Sequence, residues 1–243
     1  MKISAKTDVG IVRSNNQDAY ACGEFSPTAA YLVVCDGMGG ASAGDVASTT
    51  AAKMISEKVV ASYNEKMAGK SVNNLFECAI TTANACLYSM AMEDNSLYGM
   101  GTTVVTAVVA NNKVYVAHAG DSRAYIYSKE AGLNQITTDH SIVQEMVDRG
   151  EITEEEAKVH PRKNIITRAL GVGNDIEIDF YDQDFSEDSI LLVCTDGLTN
   201  FVDDKIIEKL LAQEPFEGIA DRLVNLANEN GGGDNITAVV ISN

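Results

Sequence analysis

The chain has 243 residues, 45% hydrophobic and 22% charged, with a formal net charge of −17. That length and apolar content can bury a full core in one large domain, while the acidic balance excludes nucleic acid and anionic membrane surfaces, whose phosphates it would repel. Five cysteines without a C-x-x-C pair, no apolar leader and no run approaching ~18 apolar residues argue against a disulfide framework, a zinc site, secretion and a membrane span.

A soluble, cytoplasmic protein is expected, built as a single catalytic domain over residues 1–243 with no linker, since only three prolines occur and no Gly/Ser-rich tract divides the chain. The charge has two readings that composition does not separate. It serves solubility, or it reflects carboxylates gathered where bound cations neutralise them.

Residues 1–35 read as two strands joined by a polar loop, Gly10-Ile11-Val12-Arg13-Ser14-Asn15-Asn16-Gln17-Asp18. Taken alone, Arg13 and Asp18 would be an ordinary surface pair, worth roughly 0–1 kcal/mol. The apolar strand Tyr31 to Cys35 then runs into Asp36-Gly37-Met38-Gly39-Gly40. Asp-Gly between strands is a common hairpin turn, but residues 41–62 have helical periodicity, and no returning strand follows. The expected element is a strand that delivers one carboxylate to a sheet edge. A second helix is expected over 72–94, after a connection at 64–70, with the apolar faces of both helices in the core.

From Gly101-Thr102-Thr103 to Gly132 the texture is β-rich, with turns at Asn111-Asn112 and Gly120-Asp121-Ser122. It reads as an antiparallel meander in which Asp121 is an ordinary hairpin residue. Ser141 and Thr153 are expected to cap two short helices. The charged segment 139–168, poor in large apolar side chains, is expected to pack loosely, as a flap; His140 and His160 within it are read as capping or packing residues. A strand is expected at Ile176–Tyr181. Ile190 to Cys194 then repeats the opening theme by running into Thr195-Asp196-Gly197, with a helix over 203–211. A last helix, about 216–229, leads through Gly231-Gly232-Gly233-Asp234-Asn235 to the closing strand 236–241.

Asp36, Asp121, Asp196 and Asp234 thus all stand beside glycine at strand edges. Carboxylates gathered there would repel one another without cations, and all-oxygen ligation selects hard ions such as Mg²⁺ or Mn²⁺. Two such ions can share a bridging carboxylate and generate hydroxide for in-line attack at phosphorus. No G-x-S-x-G, H-E-x-x-H or G-x-x-x-x-G-K-[ST] motif offers a competing chemistry.

Seven motifs stand in order: Gly10-x-x-Arg13-x-x-Asn16-Gln17-Asp18, Asp36-Gly37-Met38-Gly39-Gly40, Gly101-Thr102-Thr103, Gly120-Asp121-Ser122-Arg123, Asp139-His140-Ser141, Thr195-Asp196-Gly197 and Gly233-Asp234-Asn235. Together they resemble the PPM (type 2C) Ser/Thr protein phosphatases of bacterial type over essentially the whole chain.

The resemblance implies an α+β fold of four layers, αββα: two central antiparallel sheets flanked by pairs of antiparallel helices, with the metal site at one sandwich edge. It implies that Asp36 bridges two core Mn²⁺ or Mg²⁺ ions, with the Gly37 carbonyl on one and Asp196 and Asp234 completing the other. It assigns Asp18 to the position that supports a metal through its bound water, Asp121 to a third, weaker ion shared with Asp196, and Arg13 to clamping the substrate phosphate. Asn235 is expected to support the neighbouring ligand.

The implied activity is metal-dependent hydrolysis of phosphoserine and phosphothreonine in proteins, with Asp36, Asp196, Asp234 and Arg13 as its catalytic residues. Implied partners are Ser/Thr-phosphorylated proteins and a cognate Ser/Thr protein kinase, with the chain acting as a monomer. Met38 stands where eukaryotic members place a histidine proposed as general acid, so a metal-bound water, rather than His140, is expected to protonate the leaving alkoxide. The alternatives are a silent regulator, which would be expected to have lost metal carboxylates, a family member specialised for anti-sigma-pathway phosphoproteins, which usually carries a sensor domain and more divergent motifs, and a non-catalytic cation-binding protein, which would not need Arg13.

Overall fold

The structure, a computed structural model, describes residues 1–39, 43–67, 69–213 and 215–243. Gly40 of the glycine turn, the expected helix start at 41–42 and Ala68 of the expected connection lie outside the described residues.

One sheet contains β1 (Lys2–Asp8), β7 (Arg123–Ser128), β8 (Gly132–Gln135), β10 (Ile190–Cys194) and β11 (Ile236–Ser242), in the order β1-β11-β10-β7-β8. The other contains β2 (Asp18–Ser26), β3 (Ala29–Met38), β5 (Val104–Ala110), β6 (Lys113–Ala119) and β9 (Asp179–Asp184) in that order, and β4 (Gly101–Thr102) pairs with the end of β3. Every ladder in both sheets is antiparallel.

Three apolar clusters separate the layers. Leu32, Val34, Val105 and Val116 of one sheet meet Leu191, Val193, Val239 and Ile241 of the other, all fully buried. Alternation along the strands makes this possible, because β3 turns Val33 and Cys35 the opposite way. These meet α1 (Ala43–Ser62) and α2 (Lys70–Glu93), which supply Ala47, Ala51, Ile55, Phe76, Ile80 and Leu87. On the far face α6 (Asp204–Leu211) and α7 (Ile219–Glu229) bury Ile207, Leu211, Leu223 and Val224 against Leu192 and Val240. At about 1.5–3 kcal/mol for each large apolar side chain fully buried, these clusters hold the four αββα layers together.

Three expectations need correction. The first 35 residues form parts of three strands rather than two, because the chain reverses at Pro27-Thr28 and sets Asp18 opposite Asp36. The meander breaks after β6: β5 and β6 pair with each other, but β7 belongs to the other sheet. Gly120-Asp121-Ser122 is therefore a crossing between sheets, and the hairpin reading of Asp121 fails. Finally, β9 starts at Asp179, three residues later than Ile176, because its partner β6 runs out at the pair His118↔Asp179.

Segment 139–168 contains α3 (Ile142–Asp148) and α4 (Glu154–Lys158), capped by Ser141 and Thr153 as expected. Only His140, Ser141 and Val143 are buried along it, and beyond its roots Lys163 reaches the body, donating to Asn200 Oδ1 (3.0 Å).

Candidate active site

The four aspartates meet at one edge of the sandwich because different elements end there. Asp36 lies near the end of β3, Asp121 in the crossing between sheets, Asp196 at the start of α5 (Asp196–Thr199), and Asp234 just before β11. All four line one cleft of about 250 Å³, together with Arg13, Gly37 and Met38. A larger groove of about 430 Å³ adjoins it under segment 139–168 and shares Asp121 and Asp196.

The glycines beside two of these carboxylates are needed for close approach. A Cβ on Gly37 would lie 2.0 Å from the Gly44 carbonyl oxygen, and one on Gly197 would lie 1.9 Å from that of Asn235. Neither position could take any side chain.

Hydroxyl groups brace the backbone behind the carboxylates. Asp36 N–H donates to Thr103 Oγ1 (3.0 Å), Thr102 Oγ1 donates to the Asp36 carbonyl (2.9 Å), and Thr103 Oγ1 shares a 2.8 Å hydrogen bond with Ser122 Oγ. The Thr102-Thr103 pair thus links the Asp36 strand to the Asp121 turn. Asn235 supports the neighbouring carboxylate, its backbone N–H donating to Asp234 Oδ1 (2.9 Å), and its side chain binds the Arg13 loop. Its Oδ1 accepts from Gln17 N–H (2.8 Å), and its Nδ2 donates to the carbonyls of Val9 and Asn15 (2.9 Å each).

Asp18 sits behind the cleft and is buried at 8% exposure. Its Oδ2 accepts from Thr195 Oγ1 (2.9 Å) and Thr237 Oγ1 (2.7 Å), while its Oδ1 is buried without a hydrogen-bond partner. Directly across the β2–β3 ladder stands Asp36, and like charges so placed repel. Burial, reinforced by the neighbouring aspartates, raises the carboxyl of Asp18 to about 7 and that of Asp121 to about 8. Burial and Asp234 raise Asp196 to about 6, and burial with four neighbouring aspartates drives Asp36 well above the usual range.

An all-oxygen cluster of mutually repelling carboxylates, with one buried oxygen left unpartnered, fits hard divalent cations and not zinc. Among the described residues no group of three or more acidic, imidazole or thiol side chains is placed to hold an ion by itself, so an ion here would complete its shell with the Gly37 carbonyl and water.

Arg13 reaches over the cleft and pairs with Asp234 at 2.9 Å, its guanidinium held further in the charged form by that carboxylate. The same planar fork matches phosphate oxygens, so an incoming phosphate would exchange one oxyanion for another.

His140 is buried at 7% exposure, and both ring nitrogens are committed. Nδ1 accepts from Gly120 N–H (3.0 Å), which assigns the ring proton to Nε2, 3.1 Å from Asp179 Oδ2. Burial lowers its pKa, and Arg168 Nη1 stands 3.1 Å from the same Nε2, so His140 packs within a polar knot at the base of the segment. His160 caps locally, its Nδ1 accepting from Arg162 N–H.

Sequence reasoning assigned no role to Thr195 and Thr237, which hold Asp18, or to Asn200, whose Nδ2 donates to Asp196 Oδ2 at 2.9 Å. A hydroxyl at the start of the otherwise apolar closing strand was the available signal for Thr237. Asn200 carried none, since only the turn of α5 brings it back onto Asp196.

The chain matches the Protein phosphatase 2C family over residues 11–240. It is 37% identical to the serine/threonine phosphatase stp of Listeria innocua, an alignment covering 99% of this chain and 95% of that protein. The structure superposes on the Staphylococcus aureus serine/threonine phosphatase with a TM-score of 0.88 at 36% identity, covering 100% of this chain and 94% of that one. It superposes on the catalytic domain of the phosphatase PstP in complex with two manganese ions with a TM-score of 0.85 at 33% identity, covering 98% and 96%.

Proposed function

The chain belongs to the protein phosphatase 2C family, and from that premise we propose that it is a Mn²⁺- or Mg²⁺-dependent Ser/Thr phosphoprotein phosphatase acting through the cleft at the sandwich edge. The observation that carries this reading is the convergence of Asp36, Asp121, Asp196 and Asp234 on one cleft with Arg13 at its lip.

In this reading Asp36, the Gly37 carbonyl, Asp196 and Asp234 hold two ions, and Asp121 with Asp196 takes a third, weaker one. Bound there, the ions supply Lewis-acid catalysis of phosphoester hydrolysis and generate its nucleophile. The protein's own residues do the rest. Asp18, held by two threonine hydroxyls, would support an ion through its bound water. Arg13 releases Asp234 to clamp the phosphate and orient the ester for in-line displacement. Asn235 keeps the Arg13 loop in place. His140 takes no part in proton transfer, because both its nitrogens are committed.

The reading extends to residues 1–243 as one catalytic domain with 139–168 as its flap. It also includes a monomer acting in the cytoplasm on proteins phosphorylated by a Ser/Thr kinase. Two features support the location: among the described residues no helix is long and apolar enough to cross a membrane, and all five cysteines are free thiols.

The test is hydrolysis of an aryl phosphate and a phosphothreonine peptide by metal-stripped protein, with Mn²⁺, Mg²⁺ or Ca²⁺ added back. Activity is expected to return with Mn²⁺ or Mg²⁺ and to vanish in Asp36→Ala and Asp196→Ala. Folded protein that binds Mn²⁺ and turns over neither substrate would make the chain a silent member of the family.

A further inference from the structure

The turn that carries Asp121 is fastened to the base of segment 139–168 at two points: Arg123, just after the turn, holds Asp139 in a bidentate pair (Nε–Oδ1 2.8 Å, Nη2–Oδ2 2.7 Å), and His140 holds Gly120. Gly120 gives both its backbone groups to His140: its carbonyl accepts from His140 N–H (2.7 Å), and its N–H donates to His140 Nδ1 (3.0 Å). Gly120 has φ +124°, a conformation that L side chains rarely adopt, and a Cβ there would lie 2.6 Å from Thr103. The turn therefore has a special shape, and a single side chain reads it.

His140 also holds the other end of the segment. Its carbonyl accepts from Thr167 N–H (2.8 Å), and its Nε2–H points to Asp179 Oδ2 (3.1 Å). Asp179 Oδ1 accepts from Arg168 (2.8 Å), which also pairs with Glu177 (3.1 Å). Residues 140, 167 and 168 thus form one knot with the end of β6 and the start of β9.

His118, two residues before Gly120, is fully buried beneath the knot, with the backbone of Gly120 and Ser122 as its polar neighbours. Its ring stacks on that of His140 at a centroid separation of 4.5 Å and an interplanar angle of 23°. His118 acts as a flat platform that sets the plane of the His140 ring and so aims Nδ1 at Gly120.

We propose that His140 is a positioning residue that locks the Asp121 turn and both roots of segment 139–168 into one unit, fixing Asp121 as ligand to the weakest of the three ions. This rests on the reading of Asp121 as a metal ligand. Displacement of the segment's roots is then passed to the Asp121 carboxylate through Gly120.

The test is calorimetric titration of metal-free protein with Mn²⁺. His140→Phe keeps the stack and removes the acceptor for Gly120. It is expected to weaken the weakest site about 10–100-fold, leaving the two tighter sites unchanged. His140→Asn, whose side-chain oxygen can replace Nδ1 as acceptor, is expected to recover most of that loss. A merely structural role would lower the melting temperature without singling out one binding constant. Three unchanged constants in folded His140→Phe would overturn the proposal. If His140→Phe does not fold, Asp179→Asn loosens the same knot from its exposed side, and an unchanged weakest site there overturns the proposal as well. Asp121→Ala separates the two levels: if it leaves every Mn²⁺ constant unchanged, the reading of Asp121 is wrong and the proposal falls with it. If it abolishes the weakest site while His140→Phe does not weaken it, only the proposal fails.

Discussion

Asp18 and Asp36 face each other across neighbouring strands, in a register that would be avoided if folding stability alone were selected. Removing one charge should therefore stabilise the metal-free protein while destroying the site, the usual trade between stability and activity. Asp36→Asn in metal-free protein at pH 8 is expected to gain up to about 1 kcal/mol, a rise in melting temperature of about 2–4 °C by scanning calorimetry. The same substitution is expected to abolish Mn²⁺-dependent turnover. Asp36, Asp121, Asp196 and Asp234 were legible in the sequence because each stands beside glycine, whereas Asp18, between Gln17 and Ala19, was marked only by the resemblance. Their hydroxyl partners were not, because a threonine in a strand looks the same whether its Oγ1 meets solvent or Asp18.

At the scale of elements, the loop between β1 and β2 is the part that brings Arg13 to the cleft, and Asn235 fastens it with three hydrogen bonds from outside the loop. Asn235→Ala would remove three hydrogen bonds to part-buried backbone groups of the loop, at a cost of about 0.5–1.5 kcal/mol. Steady-state kinetics of this variant are expected to show KM for a phosphothreonine peptide rising about tenfold, roughly 1.4 kcal/mol, as the guanidinium loses its fixed position. The crossing from β6 to β7 is the element that sequence reasoning missed. A strand follows Asp121 in both the hairpin and the crossing, and local alternation carries no information about which sheet receives it. Likewise the late start of β9 was decided by the length of its partner rather than by its own β-rich residues.

For the whole molecule, the raised carboxyls make stability depend on pH and on metal together. A carboxyl whose folded pKa lies above its unfolded value keeps its proton longer in the folded state. Its contribution is fully present below the unfolded pKa, near 4, and is lost as pH rises through the folded one. For Asp196, Asp18 and Asp121 that window runs from about 4 to about 8. Metal-free protein should lose stability across it, whereas Mn²⁺, which binds the ionised carboxylates, should restore stability most at its upper end. Calorimetric scans are expected to show a larger Mn²⁺-induced rise in melting temperature at pH 8 than at pH 5, and the rise is expected to disappear in Asp36→Ala. Under the proposed function part of the net charge of −17 serves as a ligand cluster, one of the two readings that composition left open.

By itself the sequence determined the helices and strands with strong periodicity and the acidic residues that stand beside glycine, because each is written in local pattern: period 2 or 3.6, a cap, or a glycine beside an aspartate. The layered fold was implied only by the resemblance that the seven motifs carry together. Only the tertiary structure decided that Asp121 lies in a crossing between sheets, that Thr195 and Thr237 hold Asp18, that Asn235 serves the Arg13 loop, and that His118 and His140 stack beneath the Asp121 turn. Those facts join residues far apart in the chain or in different sheets, and such pairings depend on how the layers close over one another rather than on any local pattern.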